Sequence, residues 1–294
     1  MASLINVCGP GRSGTTMLDL MLGHGEDAFS CGEVVAWFRP WRAHHFEQRR
    51  SPSPLWERLG RAPEERFHLN VLHELGVSFV VDSSKDEAWV LDTQRWAKRH
   101  GLAVFNLLLW KDPVSHAHSF WKRGIGLEKW KKHYVRYYKR MIELGIPIYS
   151  VSFEELVNDT PEKLKAICGL VGMEYFEGKE RFWEADHEHL FGSLGTRRQV
   201  EEGVSRIRKK MVFEGAFSGM RAEVEELMRS DPDMQMVLNY LRRSEVSRMR
   251  GAMDRGGMDE ERRTRRIYPP WYFGFRARAA LRALMPPSLW LKLG

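Results

Sequence analysis

The sequence is poor in cysteine, with only Cys8, Cys31 and Cys168 in 294 residues. They are scattered, odd in number and not spaced as metal ligands, which argues against a disulfide framework or a zinc site and for a reducing compartment. No apolar run approaches about 18 residues, so no membrane-spanning helix is expected. A strand is expected almost at Met1, which leaves no room for a signal peptide, and a cytoplasmic protein is the expectation. Hydrophobic residues make up 43% and charged residues 29%, ordinary values for a globular chain. That length and composition allow one large α/β domain, or one domain with a small subdomain.

Acidic charge is scarce toward the C-terminus. Residues 1–196 carry 25 basic and 26 acidic side chains, whereas residues 197–294 carry 21 and 13, so the net charge of +7 belongs to the last third. A basic surface suits a multiply anionic ligand, an anionic acceptor or an anionic membrane, or is simply a solvated helical face.

The chain is organised around Val7-Cys8-Gly9-Pro10-Gly11-Arg12-Ser13-Gly14-Thr15-Thr16-Met17-Leu18. Leu4 to Val7 reads as a buried strand, a Gly/Pro turn follows, and Met17, Leu18, Leu20, Met21 and Leu22 read as the buried side of a helix. Strand, glycine loop and helix together aim backbone N–H groups and a helix dipole at one spot, which suits an anion. The spacing is close to the triphosphate loop G-x-x-x-x-G-K-S/T. The lysine after the second glycine is missing, however, and Arg12 is the only cation in the loop. That absence argues against a kinase or ATPase.

Further strands are expected at Val77–Val81, Val104–Trp110 and Ile146–Phe153. Helices are expected at about Glu87–His100, Val114–Arg123, Leu127–Leu144 and Pro161–Val171. Alternating strands and helices imply a parallel sheet of four to five strands covered on both faces, with ligands beyond the C-terminal strand ends. Polar clusters end three of the strands, at Gly9–Thr16, Asp82–Lys85 and Lys111–Ser119. These are expected to share one cleft.

Lys85, at a strand end beside an anion loop, can stabilise charge growing on a transferring group. Lys111 at another strand end is followed by Pro113, favourable in a first helical turn, with Ser119 about two turns on. The cation and the hydroxyl can flank one phosphate. Glu33, 21 residues after Arg12 and just past a Cys-Gly turn, can return a carboxylate to the cleft mouth. His24, His116 and His118 are rival bases. Residues 37–68, with scattered prolines among Trp, His and Arg, read as a substrate-facing insertion.

Arg12-Ser13-Gly14-Thr15-Thr16 resembles the centre of the 5′-phosphosulfate loop of sulfotransferases that use PAPS (3′-phosphoadenosine-5′-phosphosulfate), roughly G-x-P-R/K-S-G-T-T-x-L. The proline stands one place early, at Pro10, with Gly11 before the basic residue. Asp82-Ser83-Ser84-Lys85 is similar to a segment of bacterial sulfotransferases. Lys111 through Ser119 resembles the 3′-phosphate segment R-D/N-P-x-x-x-x-x-S, with lysine in place of arginine, which keeps charge but loses the bidentate fork. Cys31-Gly32-Glu33 resembles the segment of protein-tyrosine sulfotransferases whose glutamate is the base. His187 through Arg198 is similar, more faintly, to a late stretch that closes over the co-substrate, which would bring Arg197 or Arg198 to the 3′-phosphate.

The resemblance implies a P-loop-like fold with a mostly helical C-terminal region, and PAPS as co-substrate with PAP (3′,5′-adenosine bisphosphate) as product. Gly11, Arg12, Ser13, Gly14, Thr15, Thr16, Lys111, Ser119 and Arg197 would bind it, and Glu33, Lys85 and Arg12 would catalyse. No metal is called for, since fixed cations replace magnesium, and no nucleic-acid partner is expected. The acceptor would be a hydroxyl on a carbohydrate, a lipid-linked molecule or a natural product, rather than a protein tyrosine. The alternatives are a divergent nucleotide kinase or NTPase, and a non-enzymatic protein whose basic last third binds membrane or nucleic acid. One domain is expected over residues 1–266. An aromatic, basic tail is expected over 267–294, able to lie on an anionic membrane or to dock on its own domain.

Overall fold

A computed structural model of the chain describes residues 2–202, 207, 213, 215–246 and 271–272. The first apolar run forms β1 (Ser3–Cys8), buried along its whole length, and α1 (Thr15–Leu22) follows the glycine loop. The chain continues through β2 (Ala28–Ser30), α2 (Val35–Phe38), α3 (Ala43–Arg50), α4 (Pro54–Leu59), α5 (Phe67–Leu75) and β3 (Phe79–Asp82). Then come α6 (Glu87–Arg99), β4 (Ala103–Trp110), α7 (Pro113–Trp121), α8 (Leu127–Glu143), β5 (Tyr149–Ser152), α9 (Phe153–Asn158) and α10 (Thr160–Val171). The last described helices are α11 (Leu194–Glu201), α12 (Ser218–Ser230) and α13 (Pro232–Arg243). Helix starts are capped where the sequence supplies an acceptor: Asp86, Asp112 and Asp231 receive backbone N–H groups at the heads of α6, α7 and α13.

The five strands are all parallel, in the order β2-β3-β1-β4-β5. β1 pairs with β3 on one side and β4 on the other, so the winding reverses at β1, and an open parallel sheet offers its crevice at such a point. Side chains alternate between the layers. Ile5, Val7, Leu107, Leu109 and Val151 pack with α1 and α10, whereas Cys8 and Leu108 pack with α7, α8, α12 and α13. A buried amide pair pins the central register: Asn6 lies opposite Asn106, and its Nδ2 donates to the Asn106 Oδ1 at 2.8 Å.

The differences from expectation have local causes. β2 is three residues long, too short to show a pattern. β5 begins at Tyr149 rather than Ile146. Pro147 has no N–H for a ladder, and its carbonyl accepts instead from the Asn106 side chain at 2.9 Å. β5 ends at Ser152 because that hydroxyl caps α9, accepting from the Glu155 N–H at 3.3 Å. Residues 37–68 are short helices around a core of Trp37, Trp56, Leu59 and Phe67. Arg39, bridging Glu64 and Asp92, ties them to α6.

Of the expected tail over 267–294, the two described residues dock on the domain. Trp271 donates to Glu143 at 3.1 Å, and the Tyr272 hydroxyl to Asp92 at 2.5 Å. The rest of that tail, and the basic stretch at 204–210 apart from Ile207, lie outside the described residues. No described helix is long and apolar enough to cross a membrane.

Candidate active site

The loop between β1 and α1 is shaped by its glycines. Gly9 has φ 153°, and a Cβ there would stand 2.6 Å from the Leu109 carbonyl oxygen of the neighbouring strand. Gly14 has φ 95°, and its Cβ would be 2.5 Å from the Phe153 ring. Both positions demand glycine. Arg12 has no such licence, yet its φ is 80°. A side-chain-bearing residue held in the left-handed region costs about 1–3 kcal/mol, and such strain gathers at functional sites. The effect here is to set an exposed arginine three residues ahead of α1.

His116 clamps this loop. The Trp130 indole N–H can only donate, so the His116 Nδ1, 2.9 Å away, accepts. The proton therefore sits on Nε2, which donates to the Gly11 carbonyl at 3.0 Å. Burial drives the ring pKa down to about 3, so it is neutral, and both nitrogens are engaged. The other rival bases are also placed. The His24 Nδ1 donates to the Lys179 carbonyl at 3.0 Å, and His118 is buried beside Trp121 and Phe217.

Glu33 and Lys85 come together. The Lys85 ammonium forms an ion pair with Glu33 Oε1, each side chain about one-fifth exposed at 17% and 19%. Lys85, like Arg12, is strained, with φ 62°. The backbone locks the pair in place: the Ser83 N–H donates to the Gly32 carbonyl at 2.9 Å, joining the segment before Lys85 to the one before Glu33.

Lys111 ends β4 and is buried, its ammonium 4.7 Å from the Phe153 ring centroid. Burial lowers its pKa most, Arg12 lowers it further, and Glu154 and Asp112 act in the opposite sense. Among the described residues no carboxylate forms an ion pair with Arg12 or Lys111. Burial lowers the Arg12 pKa most, and Arg123 lowers it further. Sequence reasoning missed Arg123, which stands four residues past Ser119, in the turn that follows α7. Ser119 is on α7 as expected, but its hydroxyl proton is committed to the Ser115 carbonyl at 3.1 Å.

The late stretch does reach the loop. Leu190 brackets Gly32: its N–H donates to the Cys31 carbonyl at 3.3 Å, and its carbonyl accepts from the Glu33 N–H at 2.9 Å. The Ser193 N–H donates to the Thr16 Oγ1 at 3.0 Å. Arg197 is part-buried and its Nε has no hydrogen-bond partner among the described residues, whereas Arg198 is exposed. Ser13 and Thr15 are buried in the loop and the first helical turn.

The fold and candidate site thus define a doubly wound α/β protein with an arginine-bearing glycine loop at its switch point. No family profile matches the chain, and no curated protein matches it. Among solved structures it is similar to a sulfotransferase domain of the Synechococcus PCC 7002 olefin synthase, 14% identical over 78% of this chain and 94% of that one, with a TM-score of 0.47. A sulfotransferase domain of the curacin biosynthetic pathway is 12% identical over 76% and 98%, with a TM-score of 0.49. A sulfotransferase from Alicyclobacillus acidocaldarius is 15% identical over 82% and 96%, with a TM-score of 0.42.

Proposed function

We propose that the protein transfers a sulfuryl group from PAPS to an acceptor hydroxyl. The observation that carries the reading is the group of cations around the loop: Arg123 adds to the burial that depresses Arg12, Arg12 adds to the burial that depresses Lys111, and none of the three forms an ion pair with a carboxylate among the described residues. Like charges held together in this way suit a multiply anionic ligand. The donor fits these residues. The loop N–H groups with Ser13, Gly14, Thr15 and Thr16 suit a 5′-phosphate, while Lys111, Arg123 and the Arg197 Nε, unpartnered among the described residues, suit a 3′-phosphate, to which Ser119 would donate on exchanging its bond to the Ser115 carbonyl.

PAPS, when bound, supplies the sulfuryl group and a bisphosphate leaving group. Glu33 accepts the proton of the acceptor hydroxyl. Lys85 and Arg12 donate to the oxygen on which charge develops as the bond to sulfur breaks. The acceptor is a neutral hydroxyl on a glycan, a lipid-linked molecule or a natural product. It enters beside the Trp- and His-rich helices of residues 37–68, where His44 and His45 pack against Phe191, next to the Leu190 that brackets Gly32.

Calorimetric titration with PAP, and separately with ATP plus magnesium, on wild type and Arg12→Ala tests the reading. Metal-independent PAP binding that collapses in the variant is the expected result. Preference for ATP with magnesium would move the protein to the nucleotide kinases.

A further inference from the structure

Beneath the candidate transfer centre lies a buried polar junction that no step above uses. Asp19 is on α1, one turn after Thr15, and its side chain is fully buried. Its Oδ2 accepts from the Ser83 hydroxyl, and its Oδ1 has no hydrogen-bond partner among the described residues. His189, also buried, has its Nδ1 2.6 Å from the Ser30 hydroxyl and 3.6 Å from the Asp19 Oδ2. Its Nε2 has no hydrogen-bond partner among the described residues. That atom faces the phosphate loop: a Cβ on Gly192 would stand 3.0 Å from it and 2.9 Å from the Thr16 Oγ1.

Four segments meet at this point. Asp19 belongs to the helix that follows the anion loop. Ser83 is two residues before Lys85, and its N–H holds the Gly32 carbonyl. Ser30 ends β2 just ahead of Glu33. His189 precedes Leu190, whose two hydrogen bonds bracket Gly32. The loop, the lysine, the glutamate and the late closing stretch are therefore joined through one carboxylate and one imidazole.

We propose that Asp19 and His189 are positioning residues: with Ser30 and Ser83 they form the junction that fixes the Glu33–Lys85 pair relative to the anion loop. The inference rests on the reading of that pair as the transfer centre. Neither residue is needed to bind the donor, so its loss should act on turnover and not on affinity. A misplacement of about 1 Å at a reacting centre costs roughly 100-fold in rate.

The charges around the junction give it a pH signature. Burial raises the Asp19 pKa to about 7, with Asp82 adding to the rise and Ser83, Ser30 and Lys85 opposing it. Burial lowers the His189 pKa to about 3, with His187, Lys85 and Arg197 adding to the fall. His189 is thus neutral at working pH, and Asp19 is the group that titrates. Its ionised form accepts from the serine hydroxyls and attracts Lys85, so turnover should rise as pH climbs through about 7.

The test uses the full chain, with PAP for binding and PAPS with water as acceptor for turnover. Asp19→Asn should bind PAP within about threefold of wild type, lose roughly 100-fold in PAP release, and lose the rise with pH near 7. Should that variant not fold, Ser83→Ala and His189→Gln carry the same comparison. Variants that turn over as wild type with an unchanged pH profile would overturn the junction alone. Parallel loss of PAP affinity and turnover would also overturn it, since the residues would then merely hold the loop together. Wild type that neither binds PAP nor consumes PAPS would overturn the functional reading itself.

Discussion

Lys85 and Glu33, 52 positions apart in the chain, meet as an ion pair where the segments after β3 and β2 run side by side. Lys85 adopts a left-handed backbone to reach that point, as Arg12 does in the glycine loop. Two basic side chains are thus held at strained backbone positions, and one of them pairs with a carboxylate. Strain of this kind persists only where the surrounding structure enforces it.

Glu33→Gln should keep PAP affinity and lose roughly 100- to 10,000-fold in turnover, the usual span for removing a general base. The amide keeps the size of the side chain and cannot accept the proton. Calorimetry alongside a PAPS turnover assay checks this, and equal activity would remove Glu33 from the mechanism.

Lys111→Ala should weaken PAP by about 1.5–3 kcal/mol, the worth of a hydrogen bond to a charged group, and AMP far less. The two ligands differ only in the 3′-phosphate. Equal losses for both would sink the assignment of Lys111 to that phosphate. Arg123→Ala should show the same preference.

Gly14→Ala should destabilise the fold by roughly 1–3 kcal/mol, combining left-handed strain with overpacking. The added methyl meets the Phe153 ring at 2.5 Å. Denaturant unfolding measures the loss. Phe153→Leu in the same chain should return part of it, because the backbone strain would remain while the clash would not.

His116→Gln should change the acid limb of stability. The folded-state pKa of about 3 lies below the value of about 6.5 for an exposed histidine. Between those values the unfolded chain binds a proton that the folded chain does not, so wild type loses stability as pH falls. The loss attributable to this ring is about 1.4 kcal/mol per pH unit in that window. At neutral pH the variant should be the less stable protein, for want of the clamp on Gly11, and the gap should narrow from pH 6 toward pH 4. A constant gap across that range would show that the ring is not buried neutral.

Much of this protein is decided locally and is visible in the chain. The apolar strand, the glycines and the polar helix start at 4–22 need only backbone sterics and periodicity to be read, and β4 and α6 follow their patterns closely. Asp112-Pro113 announces a helix start because one residue caps and the other cannot donate. The three-residue β2 carries no pattern of its own, and it exists because β3 supplies its partner N–H and C=O groups.

The site divides in the same way. The choice of Arg12, Lys85, Lys111 and Glu33 as candidate site residues could be argued from residue type and spacing. The contact of Lys85 with Glu33, the approach of Arg12 and Glu154 to Lys111, the clamp of His116 on Gly11 and the Asp19–His189 junction depend on residues brought together from distant segments. Spacing along the chain carries no information about them, because the parallel sheet order, set by burial of both its faces, decides which strand ends become neighbours.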